Sequence, residues 1–175
     1  MLHFNARSNS KGFTLIEVLV VMIMIGILSA IAAPSFMGLL NRNRVNNAAI
    51  RLKSALVEAQ ANTIRLGKSC TLGIPEGTGV TLTQTGQCWR TGAESFSDPQ
   101  ASGTNPTFAV LPTNINSGNL DVSFDFKGRV TTSTSATQTV VISVPNTTYQ
   151  RCVNISYPLG IVRMGTYTTS CAIDP

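Results

Sequence analysis

Histidine is nearly absent from this chain of 175 residues, which has one, His3, close to its N-terminus. Serine and cysteine nucleophiles in enzymes depend on a nearby histidine as general base, so this scarcity argues against both kinds of hydrolase. The four cysteines have no Cys-x-x-Cys spacing and no neighbouring histidine, which argues against a zinc site. We therefore expect a protein that is not an enzyme and that uses no cofactor.

A calcium loop is also incomplete in this sequence. Asp121, Ser123 and Asp125 have the spacing with which such a loop begins. The loop then needs glycine at its sixth position and glutamate at its twelfth, where this chain has Phe126 and Thr132. On a strand the three polar residues would simply share one face, so we expect no metal site.

What the chain does have is a long apolar run, residues 13–33, which contains one carboxylate, Glu17. About 20 apolar residues suffice to cross the hydrocarbon core of a membrane as a helix. A charge in such a segment costs roughly 2.5–3.5 kcal/mol, so Glu17 requires an explanation. The preceding residues carry Arg7 and Lys11 and no acid, which keeps the N-terminus cytoplasmic and the rest of the chain outside the cytoplasm.

An ordinary secretory signal is the alternative interpretation of this run. Residues 18–28 would form its hydrophobic region, and Ala30-Ile31-Ala32 would resemble its cleavage site. This interpretation leaves Glu17 unexplained and gives Gly12 no role, so we favour the membrane anchor.

The residues Gly12-Phe13-Thr14-Leu15-Ile16-Glu17, after a short basic leader, resemble the class III signal of type IV pilins and type II secretion pseudopilins. The resemblance implies that a prepilin peptidase cuts between Gly12 and Phe13 and methylates the new N-terminus on Phe13. It implies a single-pass protein of the bacterial inner membrane that later joins a pilus fibre at the cell surface. Its partners would be other pilins, bound through the N-terminal helix, and its mature chain would lack histidine.

Glu17 gains a role from this cleavage. The new amine on Phe13 is an α-amino group, whose ordinary pKa of about 7.7–8.0 makes it largely cationic at neutral pH. The Glu17 carboxylate of a neighbouring subunit is a suitable partner, because two buried charges that pair cost far less than either alone. The pairing would also fix the axial register between subunits. Glu17 can also cap its own helix, since the helix dipole favours an acid there.

The helix should continue beyond the apolar run. We expect a kink at Pro34, because proline removes a hydrogen bond from a helix interior. The resemblance implies that this stretch can lose helicity in the fibre, and a static kink is the alternative. Further on, apolar residues recur at steps of three and four, which indicates an amphipathic helix. These residues are Val45, Ala48, Ala49, Leu52, Leu56, Ala59, Thr63 and Leu66, and Gly67 is a suitable C-cap.

After the helix, short alternating runs and turn sequences predict strands. The expected fold class is α+β, with a long N-terminal helix packed on a C-terminal antiparallel β domain. We expect four segments: a leader at 1–12, a hydrophobic assembly helix at 13–40, its amphipathic half at 41–67, and a β-rich head at 68–175.

All four cysteines, Cys70, Cys88, Cys152 and Cys171, lie in this head. An exported domain in an oxidising compartment is expected to form disulfides. Three pairings are possible, and the pairing of nearest neighbours closes two loops of similar size. We favour two structural disulfides and, less firmly, this pairing.

The head resembles one group within the pilin-like proteins. Residues 124–130, Phe-Asp-Phe-Lys-Gly-Arg-Val, resemble the strand–turn signature of the GspH/FimT group of minor pilins and pseudopilins. Residues 154–163, NISYPLGIVR, resemble the terminal hairpin of that group. The resemblance implies a minor pilin that acts in fibre initiation or at the tip. A GspH-like pseudopilin of type II secretion is an alternative.

DNA uptake in natural transformation is a further alternative. Some FimT-type members bind DNA through a Gly-Arg-x-Arg motif, and Ile161 stands here where the first arginine would be. A basic patch of Lys127, Arg129, Arg151 and Arg163 could still bind phosphates. Loss of Arg7 and Lys11 with the leader lowers the net charge from +5 to +3, which permits DNA binding without requiring it.

Overall fold

The computed structural model describes residues 12–89, 94–97, 105–111, 118–131 and 136–174, apart from the side chains at 32–34. Most of the predicted leader and the side chain of Pro34 therefore lie outside the described residues. The chain divides into two compact units, Met1–Gly38 and Leu39–Pro175, and each is described by itself.

One helix, α1 (Leu15–Leu66), begins in the first unit and ends in the second. Thr14 caps its N-terminus, because its Oγ1 accepts a hydrogen bond of 3.3 Å from the Glu17 N–H. The Thr14 carbonyl accepts another, also of 3.3 Å, from the Val18 N–H. Thr14 and Glu17 have the spacing of a capping box, in which a hydroxyl satisfies an N–H that the helix leaves unpaired.

In the first unit, α1 is apolar on every side. Its large apolar residues from Leu15 to Ile31 are each 44–83% exposed. Within the described residues, no single helix has the length and hydropathy of a membrane span. The segments Leu15–Ile31 and Ser35–Leu66, which are separated by a short break, have this length and hydropathy when they are taken together. The kink at Pro34 falls on residues 32–34 and stays a prediction.

In the second unit, the other part of α1 buries one stripe. Its buried apolar members are Val45, Ala48, Ala49, Leu52, Ala55, Leu56 and Ala59. The helix ends because Gly67 takes a φ of 61° and the Lys68 N–H donates back to the Thr63 carbonyl at 3.3 Å. This hydrogen bond has the spacing of a Schellman motif, which glycine favours since it lacks a Cβ.

Nine strands follow among the described residues. They are β1 (Cys70–Pro75), β2 (Gly77–Thr78), β3 (Thr83–Thr85), β4 (Thr107–Leu111), β5 (Asn119–Phe124), β6 (Gln138–Ser143), β7 (Gln150–Ser156), β8 (Ile161–Tyr167) and β9 (Cys171–Ile173).

The strands form two antiparallel sheets. One has the order β3-β1-β5, and the other has the order β2-β4-β6-β7-β8-β9. In strand β5, Leu120, Val122 and Phe124 are buried on one side. These residues, the inward side chains of β4, β6 and β7, and the helix stripe form a single hydrophobic cluster. The predicted α+β class is therefore confirmed.

Two disulfides cross-link the β-rich head. Cys70 is bonded to Cys88, and Cys152 is bonded to Cys171. This is the pairing of nearest neighbours, with sequence separations of 18 and 19 residues. By the loss of chain entropy in the unfolded state, each loop contributes about 3 kcal/mol of stability.

Gly165 on β8 allows strand β9 to lie close to β7. The Cα atoms of Cys152 and Cys171 are only 5.9 Å apart, although β8 pairs with both strands. A Cβ built on Gly165 would lie 2.1 Å from the Ala172 carbonyl oxygen. Because that neighbour is backbone held by a disulfide, a side chain at this position cannot be accommodated without displacing β9.

We expect Gly165→Ala to lower the free energy of unfolding by about 1–3 kcal/mol, the usual cost of overpacking. Urea titration of the full chain in detergent, followed by Trp89 fluorescence, measures it. Gly38→Ala is the control, because nothing lies within 4 Å of a Cβ there. Equal stability of Gly165→Ala and the parent chain would contradict the close approach of β9.

Candidate functional site

The Gly12–Phe13 bond precedes the helix, and both residues are exposed. Phe13 is 81% exposed, so the bond lies in chain that a peptidase can reach. Glu17 follows in the first turn of α1. Within the described residues its carboxylate accepts no hydrogen bond and forms no ion pair, and only its backbone N–H is bonded, to Thr14. The carboxylate is thus free for a partner outside the chain.

The apolar surface around Glu17 also has no partner within the described residues. The part of α1 in the first unit consists of large apolar side chains without burial. A surface of this size is unfavourable in water and marks a membrane or protein interface. The hydrogen-bonded helical backbone also meets the requirement for a segment placed in lipid.

Comparison with known proteins identifies this arrangement. A family model described as "Prokaryotic N-terminal methylation motif" matches residues 7–33. The type IV major fimbrial protein FimA of Dichelobacter nodosus is 32% identical over 111 residues, which are 61% of this chain and 68% of that protein. The protein belongs to the type IV pilin family. A second FimA, from D. nodosus strain VCS1703A, is 32% identical over 100 residues, and the pilin covers 61% of its length.

A solved structure supports the fold. The type IV minor pilin FimU of Pseudomonas aeruginosa PAO1 superimposes with a TM-score of 0.52 at 16% identity, covering 75% of this chain and 97% of that one. At this identity the likeness concerns the fold alone. A pilin is a structural subunit and not an enzyme; its motif implies peptidase cleavage, membrane anchoring and assembly with other pilins.

The basic residues predicted as a patch lie on different elements of the head. Lys127 and Arg129 lie in the turn after β5, which Asp125 organises. One Asp125 oxygen accepts hydrogen bonds from the N–H groups of Lys127 (2.9 Å) and Arg129 (2.8 Å), and the other pairs with the Arg129 guanidinium at 2.8 Å. The hydrogen bond from the Arg129 N–H is the main cause that holds the pKa of Asp125 below its usual value.

Arg151, which was predicted as part of a DNA-binding patch, is buried and ion-paired in the head. Arg151 is only 8% exposed and lies on the same face of β7 as Val153 and Ile155, since side chains alternate along a strand. Its guanidinium donates to Thr166 at 3.1 Å and forms an ion pair with Asp174. A buried and neutralised arginine cannot bind phosphate in solution.

Arg163 is exposed, but its side chain points away from the face of the sheet that carries Arg151. Val162 and Met164 pack against the core, so Arg163 between them points to the opposite face of β8. Its register partner is Asn154 on β7, which lies on the other face from Arg151. Arg151 and Arg163 therefore point to opposite faces of the sheet.

The two group-signature segments, by contrast, do come together. The Val130 N–H donates to the Pro158 carbonyl at 2.9 Å, which joins the turn after β5 to the turn between β7 and β8. Gln60 of α1 donates to the Gly128 carbonyl at 2.7 Å. We call these two turns, with Gln60 and Ile64 of α1, the two-turn platform; its exposed apolar residues are Ile64, Phe126, Tyr157 and Leu159.

The platform is the feature that sequence reasoning missed. The segments at 124–130 and 154–163 each resemble the group separately, and nothing in their spacing indicates that they meet. A usable signal is present in Leu159, a large apolar residue between Pro158 and Gly160 where a turn favours small or polar residues. Among the described residues, no cluster of metal-ligating side chains is found.

We expect Asp174→Asn to destabilise the pilin by about 1–3 kcal/mol, because it leaves the buried Arg151 guanidinium without its charged partner. Asp121→Asn is the matched control, since Asp121 is exposed and in no ion pair of the described residues. Urea unfolding of both variants measures the difference. Equal stability of the two variants would show that Asp174 does not hold Arg151.

Proposed function

We propose that the protein is a minor type IV pilin, an assembly subunit that acts in initiation of the fibre or at its tip. Before assembly it resides in the inner membrane, with the disulfide-bonded head outside the cytoplasm. The observation that carries the proposal is an exposed apolar helix whose one carboxylate, Glu17, has no partner in the described chain. The two disulfides support export, because they persist in oxidising compartments.

The minor rather than major role rests on two likenesses. Segments 124–130 and 154–163 resemble the GspH/FimT group, which consists of low-abundance subunits. FimU, which this chain covers almost completely, at 97%, is a minor pilin. The FimA relatives are major fimbrial proteins, and the chain covers 61–68% of their length.

Glu17 would act in assembly as a charge partner. We propose cleavage between Gly12 and Phe13 and methylation of Phe13, which leaves a cationic amine at the helix start. The amine of one subunit and the Glu17 carboxylate of the next would neutralise each other in an apolar fibre core. The capping bond uses the Glu17 N–H and the Thr14 hydroxyl, so it leaves the carboxylate available. Pro34 would mark the stretch that bends or unwinds.

We expect Glu17→Val to be processed normally but incorporated into fibres about a hundredfold less or worse. Breaking a buried pair costs about 3–5 kcal/mol, and each 1.4 kcal/mol corresponds to a factor of ten. Immunoblots of sheared fibres, with mass spectrometry of the N-methylated N-terminus, measure both steps. Glu58→Gln is the control, as the single other acid of α1. Normal incorporation of Glu17→Val would overturn the pairing.

The minor role has its own measurement in the same cells. A minor pilin is expected at a small fraction of the major subunit in sheared fibres, and its deletion should reduce the number of fibres. Abundance equal to that of the major subunit would contradict the proposal. Assembly in a type II secretion system instead of a pilus would be seen as loss of protein export in the deletion strain.

DNA binding stays a second, weaker candidate. Of the four predicted cations, Arg129 and Arg151 are neutralised by carboxylates, which leaves Lys127 and Arg163. Two phosphate contacts predict a slope of about −2 for log K against log salt concentration. Fluorescence anisotropy of labelled duplex DNA with the detergent-solubilised protein measures it, and Arg163→Ala should halve the slope. A slope near zero would contradict DNA binding.

A further inference from the structure

Two arginines follow the hydrophobic segment of α1 at the start of the head. The segment predicted at 13–40 ends two residues before Arg42, and Arg44 comes one residue after that. Both lie in the second unit, which begins at Leu39. The sequence from Val18 to Val57 contains no acid. The two cations therefore have no compensating charge on their own part of the helix.

Neither arginine is neutralised elsewhere in the described part of the chain. The ion pairs found there involve other residues. Arg42 is exposed, and its guanidinium donates no hydrogen bond within the described residues. Arg44 is half-buried and donates one, from Nη1 to the Asn41 Oδ1 at 3.1 Å. Most N–H groups of the two guanidiniums are therefore available to an acceptor outside the chain.

An aromatic side chain of the head lies beside Arg42. The Arg42 Cζ is 5.7 Å from the centre of the Tyr149 ring, which is a cation–π distance. The Tyr149 hydroxyl donates to the Asn46 Oδ1 at 3.0 Å, and its ring packs against the hydrophobic cluster. Tyrosine is enriched where membranes meet water, because its ring is apolar and its hydroxyl is polar. We call Arg42, Arg44 and Tyr149 the arginine collar.

The spacing of the two arginines suits a helix that leaves a membrane. Residues two positions apart do not face the same side of a helix, so the two cations surround α1 and do not mark one face. As a helix, residues 13–40 have a contour length of about 42 Å at 1.5 Å per residue. A bilayer is about 40–45 Å thick with its headgroup regions. With Phe13 among the headgroups on one side, Arg42 would therefore reach those on the other.

The distribution of charge gives the collar a role after cleavage. Basic residues beside a membrane segment normally lie on the cytoplasmic side, where the proposed function places Arg7 and Lys11. Both leave with the leader, and the new amine on Phe13 is matched by the Glu17 carboxylate. The collar arginines would then be the uncompensated cations nearest to the membrane in the mature pilin.

We propose that the arginine collar binds the phosphate groups of anionic phospholipids on the outer face of the inner membrane. A guanidinium matches a phosphate with two parallel hydrogen bonds, and basic side chains beside a membrane attract anionic lipids. The binding would hold the mature pilin at a fixed depth before assembly. The proposal rests on the proposed function, since it requires the head to lie outside the cytoplasm.

Lipid titration of the processed full chain in detergent tests the proposal, with bound lipid counted by native mass spectrometry. We expect tighter binding of phosphatidylglycerol than of phosphatidylcholine. Arg42→Gln/Arg44→Gln should weaken phosphatidylglycerol binding about twentyfold, since each basic residue near a membrane contributes about a factor of five. Arg42→Lys/Arg44→Lys keeps both charges and should weaken it less than fivefold.

Arg65→Gln/Lys68→Gln is the matched control, because it removes the same charge about 35 Å further along the chain, which is several Debye lengths. It should bind phosphatidylglycerol like the parent. Thermal unfolding of each variant shows whether the head is intact. Equal affinity of the parent for both lipids, equal affinity of the collar variant and the parent, or equal losses in the two glutamine variants would overturn the proposal.

A photoreactive lipid locates the contact. Phosphatidylglycerol with a diazirine in its headgroup is added to inner-membrane vesicles that contain the pilin, and adducts are mapped by mass spectrometry. We expect adducts at residues 41–47, and adducts confined to other parts of the head would overturn the proposal. Fibre counts separate it from the proposed function. If gene deletion leaves fibre number unchanged while the collar binds lipid, the proposed function alone is wrong. If deletion reduces fibre number while lipid binding ignores the collar variants, the collar proposal alone is wrong.

Discussion

The fold depends on a helix that its own chain leaves unburied in one half. From Leu15 to Ile31 the side chains are apolar on all sides, and within the described residues nothing covers them. Hydrophobic free energy of about 25 cal/mol per Å² makes such a surface unstable in water. The segment must therefore be in lipid or among other subunits, and the pilin family uses it for both. Glu17 is the residue that does not fit an apolar environment, and under the proposed function its charge would select the arrangement of subunits.

The second half of the helix packs against the head of the protein. There the apolar residues narrow to one stripe that both antiparallel sheets cover, so the head has a core of its own. Two disulfides close loops at β1 and at β7–β9, and Arg51 adds an ion pair with Glu94 on the exposed side of the helix. The head can consequently remain folded while the first half changes its surroundings.

Much of this could be predicted because it has a local cause. The helix stripe follows from spacing, its end from Gly67, and β5 from the alternation of Val122 and Phe124 with polar residues. The functional surface could be predicted less well from the sequence. Arg151 resembles a surface cation in the sequence, and only its place opposite Thr166 and its ion pair with Asp174 make it a buried residue. The meeting of Gly128 with Gly160 depends on long-range packing against Gln60, which no short pattern encodes.

The C-terminal residues have a consequence for how the protein is handled. Strand β9 is tied to β7 through Cys171, and Asp174 neutralises the buried Arg151. Strand β9 and Asp174 are therefore a working part of the domain. A segment inserted directly beside Asp174 would crowd the carboxylate that compensates Arg151. A flexible spacer, rich in glycine and serine, on each side of an insertion is the choice that leaves this part of the sheet undisturbed.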